Sequence, residues 1–346
     1  MQLSSFQCLL LIMTSALCNP ITITSMATLP LPVQTVYNFG FGAWIENLWV
    51  RGSGEILPVM FSSPNLYQVD PTGECQPFIV HTFPPPISSL FGITETTDDM
   101  FYVVAGNISI KSFIPVQGSF SIWGVDLKTY NGESGSAVVR KVTDIPEAQL
   151  LDGITTLNAG QGLLLVGDPL LGVVFRVDAS SGQYAKVIDL PDMKRTPGMN
   201  PSLGVNGLKV IGSSLYYTST NQQLFVRLPL NADGTPAGNP VNVNTHTGSL
   251  DDFDMDVALN TYAADNASSV ILLKPSGGLP IVLAGGPVNV TAVPGATSAK
   301  FGRTATDSHS LYVGTTGGYG GYISGTFTIG GGISKIDVGS WGLLSN

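Results

Sequence analysis

Short apolar runs rich in Leu, Tyr and Val alternate with turns along this chain, and a matched pair of such runs recurs six times. The copies are Glu55–Val59 with Asn65–Asp70, Met100–Val104 with Ser121–Asp126, and Gly162–Val166 with Val173–Asp178. They continue as Ser214–Thr218 with Gln223–Arg227, Asn260–Ala264 with Val270–Leu273, and Ser310–Gly314 with Ile333–Asp337. Repeats of roughly 45 to 60 residues match one four-stranded propeller blade each. The pattern predicts an all-β chain, a six-bladed β-propeller with four-stranded blades. Val33 to Asn38 precedes the first copy and is expected to return as an outer strand of the last blade, closing the ring and removing its open edges. The long apolar run from Leu163 to Phe175 is broken by Asp168-Pro169 and Gly172, so it predicts two buried strands and a turn.

A different kind of run opens the chain. Cys8 to Met13 is apolar, shorter than the roughly 20 residues of a membrane span, and followed by Thr14-Ser15-Ala16. It reads as a secretory signal over residues 1–18, with the propeller as the single domain over 19–346; its first residues carry no Lys or Arg. The sequons at Asn107, Asn266 and Asn289 agree with a glycoprotein of the secretory pathway, secreted or vesicular. Cleavage after Ala16 leaves Cys18 and Cys75 to form a disulfide, whereas cleavage after Cys18 leaves Cys75 alone. The pairing is expected, because an oxidising compartment disfavours a leftover thiol.

Composition narrows the partners. The formal charge is −9 with only 11% charged residues and 41 glycines. No basic run exists to neutralise phosphates, so nucleic acid is not an expected partner. Low charge with abundant glycine suits strands covered on both faces and joined by tight turns. His81, His246 and His309 lack metal-ligand spacing. The Gly-rich tail, Gly317 to Gly321 and Gly330 to Gly332, lacks the Lys-Ser/Thr of a phosphate loop.

In a propeller the innermost strand of each blade precedes the repeated pair. Counting back about eight to ten positions from each pair gives Glu46, Phe91, Asp152, Asn206, Asp251 and Phe301 as axial residues. Four of these carry carboxylate or amide oxygen, which is costly to bury unpaired. Hard oxygen donors converging on one point suggest a calcium-type site. The competing reading is that Asp and Asn merely cap turns.

Trp44-Ile45-Glu46-Asn47-Leu48, Val205-Asn206-Gly207-Leu208, Leu250-Asp251-Asp252-Phe253 and Phe301-Gly302-Arg303-Thr304 resemble the regucalcin/gluconolactonase-like family, in particular its secreted fungal branch. The resemblance runs from about Val36 to Asp337. It implies that Glu46, Asn206 and Asp251 bind a divalent cation. The family's further central Asn has no counterpart here; Asp152 stands in that region.

Three functions follow. The resemblance to the fungal branch implies a hetero-Diels–Alderase joining a tropolone quinone methide to a humulene-type terpene. That chemistry requires no cofactor. It needs an apolar cavity that holds two partners in a reactive pose, with a few hydrogen bonds to the heterodiene. Trp44, Phe91, Phe253, Phe301 and Arg303 are its candidate pocket, and a small apolar terpenoid or polyketide its expected partner. The second function is a lactonase in which Ca2+ on Glu46, Asn206 and Asp251 polarises the carbonyl while Asp251 or Asp152 activates water. The third is a propeller that binds without catalysis. Arg303 either meets substrate or pairs with Asp251 or Asp254. The pericyclase ranks ahead of the lactonase, because the cation set departs from the family pattern and few ionisable groups stand beside the aromatic residues.

Overall fold

The computed structural model describes residues 28–130, 132, 137–199, 202–245, 247–287, 289–318, 321, 324–326 and 329–339. The signal segment, Cys18 and His246 lie outside them. Six four-stranded antiparallel sheets stand around one axis. Their innermost strands are Ile45–Val50, Ser89–Glu95, Ile154–Asn158, Val205–Ile211, Leu250–Met255 and Ala296–Phe301, in blades 1 to 6. Each repeated pair of the sequence forms the second and third strands of a blade. The outer strands Phe78–Thr82, Val138–Asp144 and Val241–Thr245 are largely exposed, so their alternation is weaker. Val33–Gly40 pairs antiparallel with Gly331–Asp337, the third strand of blade 6, and so closes the ring with the start of the chain.

Every inner strand enters the ring through a β-bulge, a device that re-aims a side chain. In blade 1 the ladder skips between Ile45 and Asn47, leaving Glu46 unpaired. The same break isolates Phe91 in blade 2, Asn206 in blade 4, Asp251 in blade 5 and Thr297 in blade 6. In blade 3 the amides of Asp152 and Gly167 bond to the carbonyls of Gly167 and Gly153, so Asp152 takes the equivalent place.

Glycine is needed next to two of these bulges. A Cβ on Gly153 would stand 2.2 Å from the Asn206 carbonyl oxygen, and one on Gly207 would stand 2.7 Å from that of Asp251. Neighbouring blades therefore touch backbone to backbone at the axis, which explains the Asn206-Gly207 pair in physical terms. Threonine hydroxyls latch the seams. Thr218 bonds to the Asp251 carbonyl, and Thr297 to those of Ile45 and Gly314.

The chain direction gives the ring two unlike ends. Connections 41–44, 61–64, 107–120 and 169–172 gather at the end where the inner strands begin, here the entry face. Connections 51–55, 96–99, 256–260 and 302–309 gather at the opposite face.

Candidate functional site

The bulges bring Glu46, Asp152 and Asp251 together on the axis, with one carboxylate oxygen of each within 4.8 Å of the others. All three lie in low dielectric beside one another's charge, so the charged forms are disfavoured. Burial first, then the charge of Asp152, holds the Glu46 carboxyl well above the usual range, against the bond donated by the Trp44 indole N–H. Asp152 is pushed up to about 7, by burial and then by Asp252 and Asp168. Asp251 is raised by burial and by Glu46, Asp152 and Asp252, while its hydrogen bond with Asn206 works the other way. The Asn206 amide also donates to Thr220 Oγ1 at 3.2 Å. Three carboxylates at one point fit a hard divalent cation.

Asp168, absent from the sequence expectations, positions one member of this set. Its fully buried carboxylate accepts the amide N–H groups of Gln149 (2.7 Å), Leu150 (3.3 Å), Leu170 (3.0 Å) and Leu171 (2.9 Å). It thereby fixes the connection that delivers Asp152. The sequence signal was the Asp168-Pro169 break, which reads as an ordinary turn.

Aromatic rings cover the Glu46 side. Trp44 lies 4.4 Å from Phe61, Phe61 meets Phe91 edge-on at 5.6 Å, and Phe91 lies 5.5 Å from Phe120. Trp44 and Phe91, two of the expected pocket residues, thus join one aromatic cluster at this end of the axis. Two other expected pocket residues do not. Phe253 is fully buried between blades, edge-to-face with Phe225 at 5.1 Å. It alternates with Asp252 and Asp254 on the strand, so its side chain points away from the axis. Replacing it is a packing change: Phe253→Leu is expected to cost about 1 kcal/mol, the worth of an aromatic pair. Denaturant titration measures this, and an unchanged stability would place the ring in open space instead.

Phe301 sits at the far end of its strand against Tyr262, at 4.9 Å. The axial residue of blade 6 is Thr297. Arg303 pairs with Glu95 and the Val50 carbonyl on the opposite face, and with neither Asp251 nor Asp254 among its described contacts. Two lysines also stand near the axis. Lys209 pairs with Asp254, and Lys300 lies 3.5 Å from Asp252, both side chains also facing the Trp49 ring. These ion pairs lie along the inner strands of blades 4, 5 and 6. Burial pulls the Lys300 ammonium below its usual range against Asp252 and Asp254. For Asp254 the two lysines outweigh burial and hold its carboxyl low.

Two open clefts of about 320 Å³ each lie away from the axis, one along Tyr216, Arg227 and Lys274, the other along Ser53, Asp70 and Cys75. Cys75 is exposed and carries a free thiol; Cys18, its expected partner, lies outside the described residues. Asn289 is exposed, and Asn107 and Asn266 are half-buried. Among the described residues no helix is long and apolar enough to cross a membrane.

Comparison with solved structures identifies the architecture. Regucalcin, a calcium-binding protein from Agrobacterium tumefaciens, superimposes with a TM-score of 0.60 at 14% identity, over 89% of this chain and 94% of that one. A gluconolactonase from Xanthomonas campestris gives 0.55 at 12% identity, over 88% and 89%. This chain has the regucalcin/gluconolactonase fold. No family model matches it. In sequence it is 29% identical over 322 residues to asR5 of Sarocladium schorii, named as a candidate hetero-Diels–Alderase, covering 84% of this chain and 79% of that protein. A Phoma protein of the same designation is 25% identical over 308 residues, covering 83% of this chain and 87% of its own length.

Proposed function

We propose that this protein is a hetero-Diels–Alderase of fungal secondary metabolism, acting on small molecules at the entry face of the propeller axis. Similarity to the Sarocladium protein over 84% of the chain carries the reading. The site supports it: an aromatic wall of Trp44, Phe61 and Phe91 stands beside carboxyl groups that burial and mutual repulsion keep partly protonated. The wall supplies apolar contact for a terpene. The carboxyl groups supply hydrogen-bond donors for the oxygen of a heterodiene such as a tropolone quinone methide. Two partners held in a near-attack pose gain rate chiefly from orientation, without a nucleophile.

The carboxylate set supports a second reading, a calcium-dependent lactonase. A cation held by Glu46, Asp152, Asn206 and Asp251 would polarise a carbonyl oxygen. The proposed setting for either is the secretory route, where the exposed Asn289 is available for glycosylation.

One assay separates the readings. The purified protein is given a quinone methide generated in situ and a humulene-type alkene, with calcium and then with chelator. A single cycloadduct stereoisomer, formed above background and insensitive to chelator, is the expected result. A background mixture, together with calcium-dependent hydrolysis of simple lactones, would reverse the order of the two readings.

A further inference from the structure

Blade 2 carries a long connection at this end. Between its second and third strands, residues 107–120 form a two-stranded hairpin, Ile108–Ser109 against Ile114–Pro115, on the entry face. Its base is pinned. The Ile108 amide donates to Ser88 Oγ at 3.0 Å, the Asn107 amide to Ser119 Oγ at 3.0 Å, and the Val116 amide to the Asn107 carbonyl at 2.8 Å. Its tip is strained. Phe113 has φ +55°, a left-handed conformation that a bulky residue rarely adopts.

That conformation turns the Phe113 ring inward. It lies 5.6 Å from Trp44 and 6.3 Å from Phe61, nearly parallel to the latter at 25°. Ile114 and Val116 stay exposed on the same hairpin, so general burial of apolar groups does not explain the geometry. Phe113 rests on the two rings of the wall, and Trp44 is the ring hydrogen-bonded to Glu46. A flat ligand addressing the axial carboxyls needs those same ring faces.

We propose that the 107–120 hairpin gates the axial site, with Phe113 as an internal placeholder for the planar, conjugated, oxygen-bearing partner. This rests on the proposed function and assigns the Trp44–Phe61 faces to the heterodiene, leaving the alkene to the remaining apolar surface. Opening the gate exchanges one aromatic contact for another and releases the left-handed tip. The hairpin thus discriminates by ring stacking, and an aliphatic ligand gains nothing by displacing it.

Tropolone is the test probe, titrated by calorimetry against the wild type, Phe113→Ala, Phe113→Gly and Ile114→Ala. Phe113→Gly tolerates the left-handed backbone, so it keeps the tip conformation if Phe113→Ala disturbs it. The Phe113 variants are expected to bind tropolone roughly three- to tenfold more tightly, the equivalent of one aromatic pair, with Ile114→Ala unchanged. Equal or weaker binding by both folded Phe113 variants, while the wild type binds, would overturn the gate and leave the proposed function standing. A wild type that neither binds tropolone nor forms cycloadduct would overturn both.

Discussion

Asp152→Asn is expected to stabilise the cation-free protein at pH 8 by a few kcal/mol and to leave it nearly unchanged at pH 4. The Asp152 carboxyl rises from an ordinary 3.8 to about 7 in the fold, through burial and the charges of Asp252 and Asp168. A shift of that size is worth on the order of a few kcal/mol. The sign follows from proton binding. Between pH 4 and pH 7 the folded state holds a proton that the unfolded chain has lost, so stability falls as pH rises through this window. The contribution is complete below 3.8 and gone above about 7. Asparagine removes the titration but keeps the shape, and the variant should not fall with the wild type. Glu46 and Asp251, raised by the same causes, add to the wild-type slope in the same direction. Denaturation midpoints at pH 4, 6 and 8 with chelator present measure the effect. Equal stabilities at pH 8 would mean that neither burial nor the neighbouring carboxylates disfavour the charged Asp152. Calcium at pH 8 should then raise the wild type more than Asp152→Asn, since the variant replaces one clustered carboxylate by a neutral amide.

The bulge residues also explain what sequence reading reached. Glu46, Phe91, Asp152, Asn206 and Asp251 fall at one spacing because each opens an inner strand, and strand pairing fixes the distance to the repeated pair. Blade 6 breaks the spacing. Its first connection, 302–309, is longer than 51–55 in blade 1 or 212–213 in blade 4. Counting back by the common distance therefore landed on Phe301 when the bulge holds Thr297. Phe253 misled for another reason, since an aromatic residue beside an axial Asp looks like pocket lining until the two-residue alternation of the strand is applied.

The charged positions on the inner strands were legible in principle. Lys209, Asp252, Asp254 and Lys300 are charged residues inside strands that must face the axis, in a chain with very few charges. What the sequence does not carry is their pairing across blades. The Phe113 hairpin lies further out of reach, because connection 107–120 falls between the repeated strands and shares none of their pattern.

Those cross-blade pairs carry the second large effect. Lys300→Met is expected to cost about 3–5 kcal/mol at pH 7, the usual penalty for breaking a buried ion pair by removing one partner. The Lys300 ammonium donates to the Phe253 carbonyl at 3.1 Å, stands 3.5 Å from Asp252 and faces the Trp49 ring at 5.4 Å. Without it, Asp252 keeps the Asn47 amide and its neighbour's backbone N–H but faces Glu46, Asp152 and Asp251 uncompensated. The loss is thus chiefly the stranded charge. Adding Asp252→Asn to Lys300→Met should restore at least about 2 kcal/mol, well outside additivity. Guanidinium unfolding of the four-member cycle reads this directly. Strict additivity would mean that the lysine acts through packing alone. A confirmed coupling makes Lys300 the counter-charge for Asp252 beside the three clustered carboxylates.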